Sequence, residues 1–402
     1  MTEQALSHLM VLELCNMVAG PYCGKLLADL GAEVIKVELP SVGDDARRRG
    51  PFPEDKPHLE RSGLFLYLNT SKLGVTLDMR TATGRRIFRQ LVEQADILIE
   101  DKPPSLMDGL GLSYEDLKKV NPRLVMTSLT PFGQTGPYRD YKAHRLNSFH
   151  AGGEGYLVPI QSPDLTREPL MSGCIQADCI CGLGAAFVTL AAFYRMKASG
   201  TGQYVDMSKQ DMLMTMALLE IAMFANTGAV RSRIKRSLLM PTPMKCRDGY
   251  VHISALTDRE WNDLVEFMGN PEWAKDERYT LWLRRHLLGD EITPRIQSFM
   301  EHFDKQDLFH KLQGKALAAA PVNTAEDLVK SEQMEARGFF SEIEHPETGS
   351  LRYPTAGYKL SETPWQARRA APLLGEHNEL VYCDRLGYTK DDLVKLRESG
   401  CI

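Results

Sequence analysis

The stretch HLMVLELCNMVAGPYCGKLLADLGAEVIKVELP, residues 8–40, decides the fold. HLMVLELC is a short apolar run suited to a buried strand. AGPYCGKLLADLGA follows, with helical spacing at Leu26, Leu27 and Leu30 and a stop at Gly31. EVIKVELP is a second strand. Strand, helix and strand within roughly thirty residues are the βαβ signature of a parallel sheet covered by helices.

Working outward, the alternation returns. GVTLDM, the helix TGRRIFRQLVEQA and the strand DILIED come next, then the helix SYEDLKKVN and the strand LVMTSLTPFG. A loop-rich stretch is expected from about 131 to 175, then a helix from Asp178 to Lys197 leading through SGTGQ to the strand YVDMS. The apolar run MLMTMALLEIAMFA at 212–225 is too short to cross a hydrocarbon core of about 30 Å and reads as a buried helix.

From 228 the pattern changes: RSRIKRS, a hairpin around KCRDGYVHIS, then charged amphipathic helices containing Trp261, Trp273 and Trp282. The expected fold class is α/β. It has a Rossmann-like large domain, formed by 1–227 and a returning segment 326–402, and a smaller α+β domain at 228–325. SLRYPTAGYKL and the terminal helix KDDLVKLRESG lie in the returning segment.

With 402 residues the chain has room for two cores. Its 48 Lys plus Arg against 53 Asp plus Glu give a net charge of −5, which disfavours a nucleic-acid binder relying on a broad cationic surface. The eight cysteines contain no C-x-x-C pair and no zinc spacing, so reduced thiols and no metal are expected. The N-terminus lacks a basic segment, an apolar run and a small-residue cleavage site, which points to a cytoplasmic protein with no membrane partner. No G-x-G-x-x-G follows the first strand, which disfavours a nicotinamide dehydrogenase.

Six motifs fall in order along the chain. They are VAGPYCGKLLADLGAEVIKVE, GDDARRRGPF, NTSKLGVTLDM, LTPFGQTGP, SGTGQYVDMSKQD and APLLGEH. Together they resemble the class III CoA-transferases, a superfamily that includes formyl-CoA and carnitine CoA-transferases and the α-methylacyl-CoA racemases. The resemblance implies a homodimer in which each chain passes through the ring of the other. It also implies substrates that are an acyl-CoA and a carboxylic acid, with no permanently bound cofactor.

The family's nucleophilic aspartate follows an SG dipeptide by five residues, which in MSGCIQADCICGLGAAF is Asp178. The resemblance implies that Asp178 attacks a donor acyl-CoA to give a mixed anhydride and then an aspartyl-CoA thioester, whose CoA passes to an acceptor acid. An Asp at a helix start is also the commonest kind of N-cap, worth about 1 kcal/mol. The small residues Gly182, Gly184, Ala185 and Ala186 permit close approach of a ligand or of another helix.

CoA carries a 3′-phosphate and a diphosphate, so local cations are needed. By family position these are Lys72, Lys102 and Lys142, with Arg48 and its neighbour Arg47 as further candidates. Val18 and Ala19 match the family's first active-site loop. Val18 stands where formyl-CoA transferases carry glutamine, Leu39 where they carry arginine, and no tetraglycine loop lies between Arg231 and Tyr250. These departures argue against formyl-CoA or oxalate as substrates.

Arg145 could bind a second carboxylate through its planar fork, or point to solvent. His144 is expected to line the substrate site or serve structure; it also occupies the place of a racemase acid/base histidine, so a racemase using His144 and Asp178 stays open. So does a non-catalytic acyl-CoA-binding subunit or regulator. His150 and Glu154 lie nearby in a glycine-rich turn.

Overall fold

Six short apolar strands assemble as one parallel sheet: β1 (Met10–Leu14), β2 (Glu33–Glu38), β3 (Leu73–Thr76), β4 (Ile97–Glu100), β5 (Val125–Thr130) and β6 (Tyr204–Ser208). The computed structural model describes residues 4–402 except 161, 163, 234–238, 241 and 256. The order is β3-β2-β1-β4-β5-β6, with Leu12 of β1 in register with Ile35 on one side and Leu98 on the other. Chain order reverses between β1 and β4. In an open α/β sheet this is the crevice where ligands meet the carboxyl ends of strands.

Successive side chains of a strand point to opposite faces, so each face acquires its own core. Leu12, Leu14, Ile35, Val37 and Leu98 pack against Ile87, Phe88 and Leu91 of the helix Ala82–Gln94, with Leu393 and Leu396 of the terminal helix Lys390–Glu398. Val11, Val34, Ile97, Ile99 and Val125 face the helices Ala19–Asp29 and Gln176–Ser199. The strands read as nearly continuous apolar runs because both faces are covered.

The small residues of Gln176–Ser199 serve packing. A Cβ on Gly182 would stand 2.5 Å from the Ala19 carbonyl oxygen, and one on Gly184 would stand 2.8 Å from Met212 Sδ. By length and composition this helix would pass for a membrane span, but it packs along the first helix and β5 as a core helix.

One expectation gains a detail and another needs correction. The stretch 131–175 contains a helix, Arg145–Ala151, whose Phe149 is buried in the core. The run 212–225 is not one buried helix: it divides at Ala217 into Lys209–Met216 and Leu218–Thr227, and the second has no buried residue. Leu218, Leu219 and Phe224 are exposed. An apolar run announces a covered surface without saying whether its own chain supplies the cover.

Two compact units emerge: residues 1–158, 169–232 and 338–402 form one, and 159–168 with 233–337 the other. The sequence reading put the smaller one at 228–325, and most of RSRIKRS lies outside the described residues. In the smaller unit β7 (Met244–Cys246), β8 (Gly249–Ser254) and β9 (Ala318–Pro321) form an antiparallel sheet over Trp261, Tyr279, Ile292 and Leu312. In the larger, β10 (Phe340–His345) pairs antiparallel with β11 (Gly349–Pro354).

Candidate active site

Asp178 lies in the first turn of Gln176–Ser199, buried to 7% exposure. The N-cap position belongs to Ile175, and the cap makes no side-chain hydrogen bond. Asp178 is therefore not the cap that its position near a helix start suggested. Its Oδ1 faces Lys209 Nζ at 3.3 Å. Lys209 is the first residue after β6, so the lysine approaches from the carboxyl end of the sheet.

Burial disfavours the thiolate form of both neighbouring cysteines. Burial, reinforced by the charge of Asp178, pushes Cys179 up to about 11. Burial pushes Cys181 up to about 12, with Lys209 offsetting part of the rise. A raised thiol pKa lowers the thiolate fraction and so weakens both sulfurs as nucleophiles.

Val18 and Ala19 are buried at the entry of the first helix, and the Ala19 carbonyl lies against Gly182, one turn beyond Asp178. The loop before them is pinned at three successive residues. Lys36 Nζ donates to the Cys15 carbonyl at 2.9 Å, the Asn16 N–H donates to Asp101 Oδ2 at 2.7 Å, and the Met17 N–H donates to Asp44 Oδ1 at 2.8 Å. Met17 takes a φ of 66°, which a non-glycine residue adopts only when its surroundings enforce it.

Behind this loop runs a buried network of charges. Glu13 bridges Lys36 (2.9 Å) and Lys72 (2.6 Å), and Lys36 also meets Asp44 at 2.8 Å. Gly24 is required beside it, since a Cβ there would stand 1.9 Å from Glu13 Oε2. This corrects the reading of Lys72 as a phosphate ligand: the ammonium is fully buried, and Glu13, Asn69 Oδ1 (2.8 Å) and the Pro21 carbonyl (2.8 Å) take its three donors. Burial pushes Lys72 down to about 8 despite Glu13.

Arg47 is likewise structural. It is buried, bonded to both Glu38 oxygens and to Glu60, and stacked over Phe65. Arg48 is exposed and donates to the Val42 carbonyl at 2.5 Å. Lys142 and His144 are exposed, His144 standing just before the helix Arg145–Ala151 with its N–H donated to Asn147 Oδ1 at 2.9 Å. Arg145 is half-buried, and its Nη1 donates at 3.4 Å to the carbonyl of Cys174, four residues before Asp178. His150 packs against Gly155 in the turn that carries Glu154.

Lys102 sits at the carboxyl end of β4, paired with Asp101 at 2.9 Å. Burial would lower its ammonium, but Asp101 outweighs that and holds it above the ordinary value. Beside it Glu100 is buried and accepts the Lys102 N–H at 2.6 Å, and burial pushes its carboxyl up to about 8. Glu100 lines a cleft of about 330 Å³ with Met107, Tyr114, Arg139 and Tyr204.

The fold thus brings Val18 and Ala19 at the entry of the first helix beside the helix that carries Asp178, the partner carboxylate of Lys209, while Arg145, on its own helix, bonds to the segment entering the Asp178 helix. Lys209, Glu100 and the Glu13–Lys36–Asp44 network escaped the sequence reading. Their signal was slight: Lys209 lies within SGTGQYVDMSKQD, and its only mark is its place immediately after a strand. Among the described residues no cluster of three or more His, Cys, Asp or Glu is arranged to hold a metal.

The model of CoA-transferase family III matches residues 6–378. The chain is 32% identical over 401 residues to the succinyl-CoA:(R)-benzylsuccinate CoA-transferase subunit BbsE of Thauera aromatica, covering 94% of each chain. It is 31% identical over 401 residues to the succinyl-CoA–D-citramalate CoA-transferase of Chloroflexus aurantiacus, covering 99% of this chain and 98% of that one. A CaiB/BaiF family protein from Brucella suis superposes with a TM-score of 0.84 at 30% identity, covering 95% of this chain and 99% of the other.

Proposed function

We propose a reaction course from one premise, that the chain belongs to CoA-transferase family III and is a CoA-transferase: Asp178 carries CoA as an aspartyl thioester between two carboxylic acids. An Asp178 oxygen attacks the carbonyl carbon of the donor thioester. The C–S bond breaks and CoA leaves as the thiolate, giving a mixed anhydride. The thiolate then attacks Asp178 Cγ, the Cγ–O bond to the donor acyl group breaks, and the donor acid leaves as its carboxylate. The acceptor carboxylate runs both steps in reverse, restoring Asp178.

One observation carries the reading: a carboxylate buried in the first turn of a helix, free of capping duty, facing one ammonium and flanked by thiols whose ionisation burial disfavours. The first intrahelical bond of this turn is made by the Cys179 N–H to the Ile175 carbonyl at 3.1 Å. The N–H groups of Gln176 and Ala177 precede it and are suited to the oxyanion that each tetrahedral step creates.

Succinyl-CoA is the donor we favour, since both reported relatives are named for it, and their partner acids, benzylsuccinate and citramalate, carry two carboxylates. Arg145, bonded to the Cys174 carbonyl four residues before Asp178, is the proposed partner for a second carboxylate. Lys102, at the switch point of the sheet, is the proposed contact for a CoA phosphate. Exposed apolar side chains, Phe187 at 72% and Tyr194 at 80% on the Asp178 helix, support the interlocked dimer. All eight cysteines are free thiols, which supports a reducing, cytoplasmic setting.

The test is mass spectrometry of protein incubated with succinyl-CoA and cleaved with hydroxylamine. A hydroxamate confined to the Asp178 peptide in the wild type and missing from Asp178→Ala is expected. A wild type that stays unmodified while exchanging the α-proton of a 2-methylacyl-CoA with deuterium would replace the transferase reading with the racemase.

A further inference from the structure

Lys209 occupies the first position of the helix Lys209–Met216, where the positive end of the helix dipole disfavours a cation. Its backbone is fixed: Ser208 Oγ accepts the Asp211 N–H at 3.1 Å, and Cys181 Sγ lies 3.8 Å from the Lys209 carbonyl oxygen. The flexible part is the four-carbon stem, 21% exposed, which delivers Nζ to Asp178 Oδ1. A residue that breaks a local rule, on a rigid base and beside a reactive carboxylate, is a candidate for function.

The charge balance of the reaction says what that function is. One negative charge exists at every stage: first on Asp178, then on the CoA thiolate, then on the departing acid. Once Asp178 is acylated it is neutral and the charge sits on the CoA thiolate; once it is thioesterified it is neutral again, and the Lys209 ammonium lacks its partner while a free carboxylate, the departing or the incoming acid, is within reach. We propose that Lys209 is a carboxylate-exchange residue that pairs with Asp178 in the resting enzyme and with the free donor or acceptor acid while Asp178 is held as the CoA thioester. It binds the acid by its reacting carboxylate and so accepts mono- and dicarboxylic acids alike, leaving discrimination to groups such as Arg145. This role rests on the aspartyl-thioester reading above.

The experiment compares wild type, Lys209→Met and Lys209→Arg, each checked for an unchanged melting temperature, using succinyl-CoA as donor and a panel of free acids as acceptors. In Lys209→Met the hydroxylamine-trapped Asp178 adduct still forms. The KM for the acceptor acid rises on the order of 10-fold to 100-fold, as expected for loss of a charge-assisted contact. The KM for succinyl-CoA changes far less, and Lys209→Arg restores most of the acceptor affinity. An unchanged acceptor KM in Lys209→Met, or equal effects on donor and acceptor with no rescue by Arg, would overturn the proposal while the adduct on Asp178 stood. A wild type without any adduct would remove the reading on which it rests.

Discussion

The carboxylate of Asp44 accepts the N–H of Met17 at 2.8 Å and holds it at a φ of 66°, immediately before the residues that border the Asp178 helix. Asp44 also accepts the Ala46 N–H at 2.8 Å and pairs with the buried Lys36. One buried side chain thus sets the loop's conformation and balances the charge beneath it. Asp44→Ala removes both and leaves Lys36 with Glu13 as its remaining carboxylate. A loss of roughly 3 kcal/mol in urea denaturation is expected, as for a buried pair with one partner removed, together with a fall in kcat/KM. Asp44→Asn, which keeps the acceptor for Met17, is expected to retain more activity than Asp44→Ala at equal folded fraction.

Lys72 supports the fold from beneath the site. Lys72→Met leaves Glu13 buried with Lys36 as its one cation. We expect a stability loss of about 3 kcal/mol. Calorimetric titration of the folded variant with CoA should show affinity within about twofold of wild type. Lys102→Ala, in contrast, should weaken CoA roughly tenfold, as expected for losing a charged contact to a phosphate. A reversed pattern would return Lys72 to the ligand.

Asp178→Asn separates chemistry from stability. Because Ile175 holds the cap position, the substitution should cost under about 1 kcal/mol in a denaturation experiment, the usual scale of a cap. Loss of a covalent nucleophile should lower kcat by at least about a thousandfold. A large melting-temperature drop with residual turnover would make Asp178 structural.

Acid should destabilise the protein in two stages. Burial holds the His345 imidazole below its ordinary value of 6.5, so the unfolded chain takes up a proton first as pH falls past 6.5, and stability is lost from there down to the folded-state value. Asp44 acts lower. Burial opposes ionisation there, but Lys36 and the N–H donors of Ala46 and Met17 outweigh it and hold the carboxyl below its ordinary 3.8. Its contribution is present above the ordinary carboxylate range and is lost as pH falls through the folded-state value. Thermal melts between pH 8 and 5 should therefore decline on the acid side, and His345→Gln should flatten that limb.

Much of the larger unit was legible because its strands and helices obey local rules. Apolar runs without alternation mark strands covered on both faces, and the helix read in SYEDLKKVN forms as Tyr114–Val120, capped by the Ser113 hydroxyl accepting the Asp116 N–H. The helix Arg145–Ala151 was hidden because its stabilisation comes from burying Phe149 in a distant core. The run 212–225 misled for the opposite reason, since Leu218–Thr227 is apolar on a face that its own chain leaves open.

Asp178 is singled out by the resemblance that an ordered string of motifs carries, within which MSGCIQADCICGLGAAF falls, and order survives in one dimension. Local patterning was enough for the alternation of elements, hence the α/β class, and the resemblance was enough to propose Asp178. The tertiary structure decided which cations stand near it. Lys72 and Lys209 both lie in recognisable motifs, but the fold buries one among Glu13, Asn69 and Pro21 and brings the other to within 3.3 Å of Asp178. The physical reason is range: periodicity and capping act within a few residues, whereas a charge's partner is set by distance in space, and Lys209 lies 31 residues from Asp178 along the chain.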